Sequence, residues 1–265
     1  MDKPRLKASH HELGIDAEKA YLIPLADLHI GAGFNTKKFL GYREWILNEE
    51  HAYTVIVGDI IDNSISESIG DTYGTLRPDE QMELAEELLR PLAQAGRILG
   101  WVEGNHEWRT VRKTDTFPGK TICKILQLDT DKIYDPDGLY LFLSLGWDRK
   151  YNIRSRNTYT LFMLHGFSGG KTIGGKANSL EHMAKGVQAD LYIAAHAHQK
   201  IMFPSYMVLP ETRTKTLRFM KRSHVMAGSF QDWDGYGIRN GYSPTPEGSP
   251  RCRLDGTRHD LHVSI

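Results

Sequence analysis

The sequence predicts an α/β protein in which helices cover a largely parallel sheet. Three observations support this: short apolar segments typical of buried strands, helical spacing of apolar residues between the first three segments, and a polar cluster after each segment. This alternation is typical of βαβ units, which bind ligands beyond the carboxyl ends of their strands. The five segments lie at residues 21–25, 53–57, 97–102, 158–164 and 191–195.

The helices between the first three strands are predicted from the spacing of apolar residues. Phe39, Tyr42 and Ile46 stand at positions i, i+3 and i+7 and define the first helix. The second begins at Pro78 and ends before Gly96, because proline is favoured in the first helical turn and glycine just after the last. Further elements are expected at about 119–128 (helix), 139–145 (strand) and 177–187 (helix).

The chain after residue 200 has a different character. Strand-like segments are predicted at 201–209, 214–218 and 224–227, and a stretch rich in glycine and proline follows at 235–250. The sequence contains no internal repeat and no sharp change of composition. We therefore expect one domain over residues 1–235, with residues 236–265 as an extension packed on it.

Length and composition exclude several classes of protein. The 265 residues are 40% hydrophobic, which is enough for a buried core and excludes disordered and fibrous proteins. The two cysteines, Cys123 and Cys252, form no CxxC pattern, so neither a disulfide framework nor a zinc–thiolate site is indicated. No apolar run approaches the roughly 20 residues that span a bilayer. A cytoplasmic location without a membrane partner is expected.

Charge is balanced overall but not along the chain. Residues 1–105 hold 10 basic and 18 acidic side chains, whereas residues 106–265 hold 23 and 15. Arg109, three residues after His106, is the strongest candidate for a phosphate contact. Two basic clusters are candidates for such contacts, with an ordinary solvated surface as the equally weighted alternative: Arg109, Arg112, Lys113, Lys120 and Lys124, and, interleaved with aromatic residues, Arg213, Lys215, Arg218, Lys221 and Arg222.

Five clusters of side chains that bind metals follow the five predicted strands. Helix capping or an ordinary buried histidine would explain any one of them. Five at successive strand ends indicate a metal centre, because buried carboxylates and imidazoles are costly unless they are paired or bind a metal. In chain order the clusters are Asp27-Leu28-His29, Gly58-Asp59-Ile60-Ile61-Asp62, Gly104-Asn105-His106-Glu107, His165-Gly166 and His196-Ala197-His198.

These motifs, in this order, resemble those of the calcineurin-like metallophosphoesterase family over approximately residues 20–200. The resemblance implies a four-layer αββα sandwich of mixed sheets and helices, with two divalent metal ions bridged by Asp59. One ion would be held by Asp27, His29, Asp59 and His198, and the other by Asp59, Asn105, His165 and His196.

The implied ligands are four imidazoles, two carboxylates and one amide. Such a shell suits manganese, iron, cobalt, nickel or zinc better than magnesium or calcium, and manganese is the expected ion. Two divalent ions with Asp27, Asp59 and a bridging hydroxide would keep a positive charge and attract a phosphate ester. The expected reaction is hydrolysis by metal-bound hydroxide, without a serine or cysteine nucleophile.

The resemblance also implies an acid that protonates the leaving group. In the family this is the histidine of Asn-His-Glu, oriented by the second aspartate of Gly-Asp-x-x-Asp. These residues are His106 and Asp62 in this sequence. We further expect Arg109 to contact a scissile or flanking phosphate and Glu107 to support the motif through hydrogen bonds.

Two departures from the family pattern bear on activity and substrate. Ala195 stands where the paired-histidine motif usually begins with glycine, and ligation should survive because alanine is also small. Asn63 follows Asp62, where protein Ser/Thr phosphatases have an arginine that grips a phosphate monoester. The first cluster is more similar to the nuclease branch. Only 67 residues follow His198, which favours a compact phage-type or bacterial relative.

The favoured function is therefore hydrolysis of phosphodiesters in nucleic acid, DNA or RNA, or in nucleotides. A phosphomonoesterase that acts on small molecules or proteins is the alternative. A non-catalytic binding module on the same fold is a third possibility, but every ligand position is filled, which argues against it. No oligomeric state is predicted.

Overall fold

The structure is a computed structural model that describes residues 5–65, 76–148, 155–167, 170, 172–233 and 243–265. The strands are β1 (Lys7–Glu12), β2 (Lys19–Leu25), β3 (Ala52–Val57), β4 (Ile98–Val102), β5 (Leu139–Asp148), β6 (Ser155–Met163), β7 (Leu191–Ala194), β8 (Ile201–Glu211), β9 (Thr216–Met226), β10 (Arg251–Asp255) and β11 (Leu261–Ser264). The helices are α1 (Thr36–Asn48), α2 (Pro78–Gln94), α3 (Glu107–Thr114), α4 (Pro118–Ile125), α5 (Thr130–Ile133) and α6 (Ile173–Met183).

The strands form two mixed sheets, which confirms the predicted α/β class. The first sheet has the order β11-β10-β2-β3-β4, in which β2, β3 and β4 are parallel and β10 and β11 antiparallel. The second sheet has the order β1-β5-β6-β7-β9-β8 and mixes both directions. The predicted βαβαβ unit is β2-α1-β3-α2-β4 of the first sheet.

Helices and sheets stack in four layers because successive strand residues point to opposite faces. Leu22 of β2 lies in the core between the sheets with Leu141 of β5, whereas the adjacent Ile23 points outward. The helices α1, α2 and α4 cover that outer face and contribute the buried side chains Phe39, Leu89 and Ile122 to it. Helix α6 covers the second sheet, where Leu180 packs on Ala194. This is the expected αββα arrangement.

Three strands were not predicted, because none of them is a continuous apolar run. The sequence of β1 is largely polar, and it lies at the edge of the second sheet. Strands β10 and β11 alternate exposed and buried residues, and β10 pairs with β2. The tail therefore contributes to the first sheet. Strand β9 also joins two segments that the sequence separated, and part of the glycine- and proline-rich stretch lies outside the described residues.

The strands β8 and β9 extend beyond the second sheet as a two-stranded ribbon. Strand β7 pairs with β9 at residues 223–226, and residues 216–222 pair with β8. Cross-strand partners share a face, so Val208 and Phe219 lie on one face and Leu209 and Arg218 on the other. No helix in the described part of the chain is long and apolar enough to cross a membrane.

Candidate metal centre

The predicted ligands lie on tight turns directly after the strands. Asp27, His29, Asp59, His196 and His198 have φ angles of 49, 47, 51, 71 and 51°. Positive φ is uncommon for residues other than glycine and costs on the order of 1–3 kcal/mol at each position. These turns therefore hold strained backbone, which the surrounding packing and hydrogen bonds maintain.

Asp27, His29 and His198 form the first group of ligand atoms. The Nε2 atoms of His29 and His198 are 3.0 Å apart, and Asp27 Oδ1 lies 3.9 and 3.7 Å from them. Burial lowers the pKa of His29 well below its ordinary value and lowers that of His198 to about 4. Both imidazoles are therefore neutral at physiological pH, as metal ligation requires.

Asp59, Asn105, His165 and His196 form the second group. His165 Nε2 lies 3.3 Å from Asp59 Oδ2 and 3.0 Å from Asn105 Oδ1, and His196 Nδ1 lies 2.6 Å from the same amide oxygen. His165 Nδ1 donates to the carbonyl of Val57 at 2.7 Å, which directs Nε2 into the site. Asn105 is exposed, so the group is open to solutes.

Asp59 lies between the two groups. Its Oδ2 atom is 3.8 Å from His29 Nε2 and 3.3 Å from His165 Nε2, while Oδ1 accepts the backbone N–H of His106. Burial alone would raise the pKa of Asp59, but His165 and the neighbouring imidazoles hold it well below its ordinary value. The same pairing raises the pKa of His165 to about 10, although burial alone would lower it.

The residues present fit divalent metal ions. Asp27 Oδ1 and His29 Nδ1 are buried without a hydrogen-bond partner among the described residues, which is costly unless another group satisfies them. The sets Asp27, His29 and His198, and Asp59, His165 and His196, each place their ligand atoms within 4.8 Å of one another. An ion in the first set would satisfy Asp27 Oδ1 together with the Nε2 atoms of His29 and His198, whereas His29 Nδ1 lies on the other side of its ring, 4.0 Å from Asp62 Oδ1.

His106, Asp62 and Arg109 lie together beside the ligands. His106 Nδ1 is 2.6 Å from the Asp62 carbonyl and 3.4 Å from Asp62 Oδ1. Arg109 donates to the same carbonyl at 3.0 Å and lies 2.9 Å from His106 Nε2. Burial alone would lower the pKa of His106, but Asp62 and Asp59 raise it above its ordinary value. The ring of His106 also contacts that of His29, with centroids 4.4 Å apart.

Asn63 has a structural role that was not predicted from the amino-acid sequence. Its side-chain amide donates to the carbonyl of His106 at 2.6 Å and accepts from the Thr110 hydroxyl at 3.0 Å. Its backbone N–H donates to the side chain of Gln81, which is fully buried. The residue that replaces the phosphatase arginine thus holds the backbone of His106 in place.

Glu107 anchors the loop that carries Asp59. Its buried carboxylate accepts the backbone N–H groups of Asp59, Ile60, Ile61 and Gly104 at 2.8–3.2 Å. The predicted supporting role therefore corresponds to four hydrogen bonds. Adjacency to the Asn-His pair was the only signal for it in the sequence.

The other basic residues with predicted phosphate contacts lie apart from this arrangement. Arg112, Lys113, Lys120 and Lys124 are exposed on α3 and α4. The later cluster lies on the β8–β9 ribbon and in its turn. There Phe219 shares a face with Tyr206 and Lys221, whereas Arg218 and Arg222 point to the opposite face.

Comparisons with known proteins place the chain in a family. Solved structures similar to it include a metallophosphoesterase from Sphaerobacter thermophilus (14% identity, TM-score 0.39, covering 92% of this chain and 88% of that one). A second is a predicted phosphoesterase from Streptococcus pneumoniae (14% identity, TM-score 0.36, covering 92% of this chain and 88% of that one). A third is GAP50, the anchor in the inner membrane complex of Plasmodium (11% identity, TM-score 0.48, covering 93% of this chain and 84% of that one). None of the curated proteins matches the chain. The model of the calcineurin-like phosphoesterase family matches residues 23–200, more than half of the chain, and the chain belongs to that family.

Proposed function

We propose that the protein is a binuclear metal-dependent phosphoesterase that hydrolyses phosphodiester bonds of DNA, RNA or nucleotides. The observation that carries the proposal is the position of Asp59 Oδ2, which faces His29 in one ligand group and His165 in the other. Membership of the family supports metal-dependent phosphoester hydrolysis.

We assign the ligands in two sets that share Asp59. The unpaired Asp27 Oδ1 supports the first set, and the bond from His165 to Val57, which leaves Nε2 available, supports the second. The sets are Asp27, His29, Asp59 and His198 for one ion, and Asp59, Asn105, His165 and His196 for the other.

Manganese is the proposed metal, and iron, zinc, cobalt or nickel would suit the same nitrogen and oxygen atoms. When bound, the ions supply an activated water and offset the negative charge of the phosphate. The chain holds the ligand atoms in place beforehand, through the bonds of His165 to Val57 and of the His196 N–H to Asp27 Oδ2.

We assign His106 as the acid that protonates the leaving oxygen, with Asp62 as the residue that positions it. The Asp62 carbonyl accepts from Nδ1, so the Nε2 side of the ring is left to deliver a proton. A protonated Nε2 cannot accept a hydrogen bond from Arg109, which now lies 2.9 Å away. Protonation of His106 would therefore free the Nη2 group of Arg109 to contact the phosphate, while Nη1 keeps its hydrogen bond to the Asp62 carbonyl.

The environment of Asn63 favours a diester substrate. Its amide is used by the His106 carbonyl and the Thr110 hydroxyl, so no guanidinium stands where the phosphatase branch grips a monoester. One observation favours the alternative, a phosphomonoesterase acting on small molecules or proteins. Arg109 lies beside His106 and brings a guanidinium to the site from another direction.

We also propose that residues 236–265 form one domain with residues 1–235, because β10 pairs with β2. The free thiols of Cys123 and Cys252 are both buried and support action in the cytoplasm, where thiols stay reduced.

The first experiment compares hydrolysis of a chromogenic phosphodiester with that of the matched monoester. The purified protein is stripped of metal and reconstituted with manganese. We expect metal-dependent hydrolysis with a preference for the diester. A preference for the monoester would contradict the assigned substrate, and an absence of hydrolysis of both would overturn the proposed function.

Two substitutions test the assigned roles within the site. Asp59→Asn should lose bound metal and nearly all activity, because this carboxylate serves both ligand sets. His106→Ala should keep both metals but lose roughly 10²–10⁴-fold in rate on poor leaving groups, the usual contribution of general acid catalysis. Metal content after dialysis and rates across leaving groups of different pKa check both. Full activity of His106→Ala on a poor leaving group would exclude it as the acid.

A further inference from the structure

A cleft with basic and aromatic walls lies along the outer side of α1. The helical rise of 1.5 Å per residue places Lys38 and Trp45 roughly 10 Å apart along its length. We call it the α1 cleft. It has a volume of about 490 Å³ and is lined by Asn35, Lys37, Lys38, Gly41, Tyr42, Trp45 and Arg251.

One end of the α1 cleft is joined to the loop that carries the proposed metal ligands. The N–H of Asn35 donates to the carbonyl of Phe230 at 2.8 Å, and the N–H of Phe230 donates to the carbonyl of Asp27 at 3.2 Å. Helix α1 begins seven residues after His29. A polymeric substrate that extends from the site in this direction would enter the cleft.

Two cations of the cleft are not balanced by nearby carboxylates. Lys37 and Arg251 are exposed, and neither makes a salt bridge within the described ranges. The guanidinium of Arg251 lies 3.8 Å from the ring centroid of Trp45, so one of its faces is stacked. Its other face is a flat, cationic platform on which a nucleobase can stack.

The acidic residues of this region lie at the Asn35 end and have partners. The amide of Asn35 donates to Asp232 at 3.0 Å and to Glu247 at 2.7 Å. Burial and Asp232 raise the pKa of Glu247, while the positive charge of Lys38 opposes the rise. Lys200 donates to the carbonyl of Glu247. In a count of charges, Lys38 and Lys200 offset Asp232 and Glu247, so Lys37 and Arg251 leave the cleft with a net positive charge.

Gly41 keeps the middle of the cleft open. It lies inside α1 with ordinary helical backbone, and a Cβ atom there would meet nothing within 4 Å. Neither packing nor backbone geometry therefore requires glycine, which is unfavourable inside a helix. A larger side chain at this position would project into the cleft. Glycine at position 41 is therefore explained by access to the cleft and not by the stability of the helix.

We propose that the α1 cleft binds the single-stranded nucleic acid next to the scissile phosphodiester. Lys37 contacts a phosphate, a base stacks on the Arg251–Trp45 pair, and Tyr42 borders the same space. The proposal rests on the proposed function and extends it from one phosphodiester bond to a polymer.

Binding is measured by fluorescence anisotropy with the metal-loaded protein and a labelled, hydrolysis-resistant phosphorothioate oligothymidylate. Gly41→Leu, which fills the cleft, should weaken binding by about tenfold or more, the loss of one charge-assisted contact or stacked base. Gly41→Ala adds one methyl group and should bind as the wild type does. Lys37→Ala should reduce the slope of log K against log salt by about 0.7, the value for one phosphate contact with a single strand.

Lys185→Ala is the matched control for charge, because Lys185 is exposed near α6 on the opposite side of the sandwich. It should leave affinity and salt dependence unchanged. Oligonucleotide affinity of Gly41→Leu equal to that of the wild type would overturn the proposal, and so would tighter binding of a labelled acidic peptide than of the oligonucleotide.

Hydrolysis of the small chromogenic diester separates this proposal from the proposed function. The four variants should retain wild-type rates on that substrate, because it does not reach the cleft. If the diester is not hydrolysed and Gly41→Leu still loses affinity for the oligonucleotide, the proposed function fails and the cleft proposal stands.

Discussion

At the scale of single residues, Glu107 shows how a buried carboxylate fixes a ligand loop. It accepts four backbone N–H groups, three from the loop of Asp59 and one from Gly104. Burial and the nearby Asp59 raise its pKa, and the hydrogen bond from Ile61 opposes the rise. Only a group with two acceptor oxygens can satisfy donors on both sides in this way.

We predict that Glu107→Gln weakens metal binding and destabilises the protein. The glutamine NH₂ would replace one carboxylate oxygen and would face two backbone N–H groups, so two of the four hydrogen bonds would be lost. Metal affinity should fall by about 10–100-fold, as for other residues that orient ligands. The free energy of unfolding should fall by about 1–3 kcal/mol. Metal titration and urea unfolding measure the two effects. Glu44→Gln, at an exposed position, is the control, and unchanged metal affinity of Glu107→Gln would contradict the prediction.

The candidate ligands were predictable because each directly follows a strand that is apolar enough to recognise. Of the residues that support them, Glu107 was predictable from its place beside the Asn-His pair, but Asn63 and Gln81 were not. Asn63 bonds to Gln81 and to His106, which lie 18 and 43 positions away. The positive φ angles of Asp27 and Asp59 follow from bonds that their turns make to distant groups. Such contacts depend on the assembled fold, and the local sequence carries no record of them.

At the scale of elements, predictability follows burial. Strands β3 and β4 are buried on both faces, and their sequences are continuous apolar runs. Helix α2 buries one apolar stripe, and its sequence has apolar residues at helical spacing. Strand β10 is different: Arg251 and Arg253 are exposed while Cys252 and Leu254 are buried. Short segments of alternating polar and apolar residues are also common in loops. Only the pairing of β10 with β2 therefore identifies it as a strand.

Helix α1 allows a test of the cost of its internal glycine. We predict that Gly41→Ala raises the free energy of unfolding by about 0.5–1 kcal/mol, because alanine restricts the unfolded chain and favours the helix. The added methyl group meets no atom within 4 Å. Urea unfolding followed by circular dichroism measures the change. A loss of stability would mean that the backbone at this position needs glycine.

At the scale of the whole molecule, Asp190 links the two sheets. It precedes β7 of the second sheet and accepts bonds from the N–H and hydroxyl of Thr160 in β6. It also pairs with His259, in the connection between β10 and β11 of the first sheet, at 3.0 Å. Burial alone would raise the pKa of Asp190, but the bonds from His259 and Thr160 lower it below its ordinary value.

This link predicts how stability depends on pH. A carboxyl group whose pKa is lower in the folded than in the unfolded state stabilises the fold above its ordinary pKa of 3.8 and less as the pH falls through the lowered value. Asp190→Asn should therefore lower the free energy of unfolding by about 1–3 kcal/mol at neutral pH. The difference in this free energy between the variant and the wild type should become smaller in acid. Urea unfolding of both proteins across this range checks the prediction, and a difference independent of pH would contradict it.

The pairing of β10 with β2 has a consequence for how the protein is made. Leu22 faces Cys252 in the register of the two strands, so partners 230 positions apart must meet. During synthesis, β2 leaves the ribosome long before β10 exists, and its edge stays unpaired in the nascent chain. All five polar motifs are translated by residue 198, yet the sheet that presents Asp27 and Asp59 is completed later. Until then the emerging polypeptide depends on delayed folding or on chaperones to avoid aggregation through that edge.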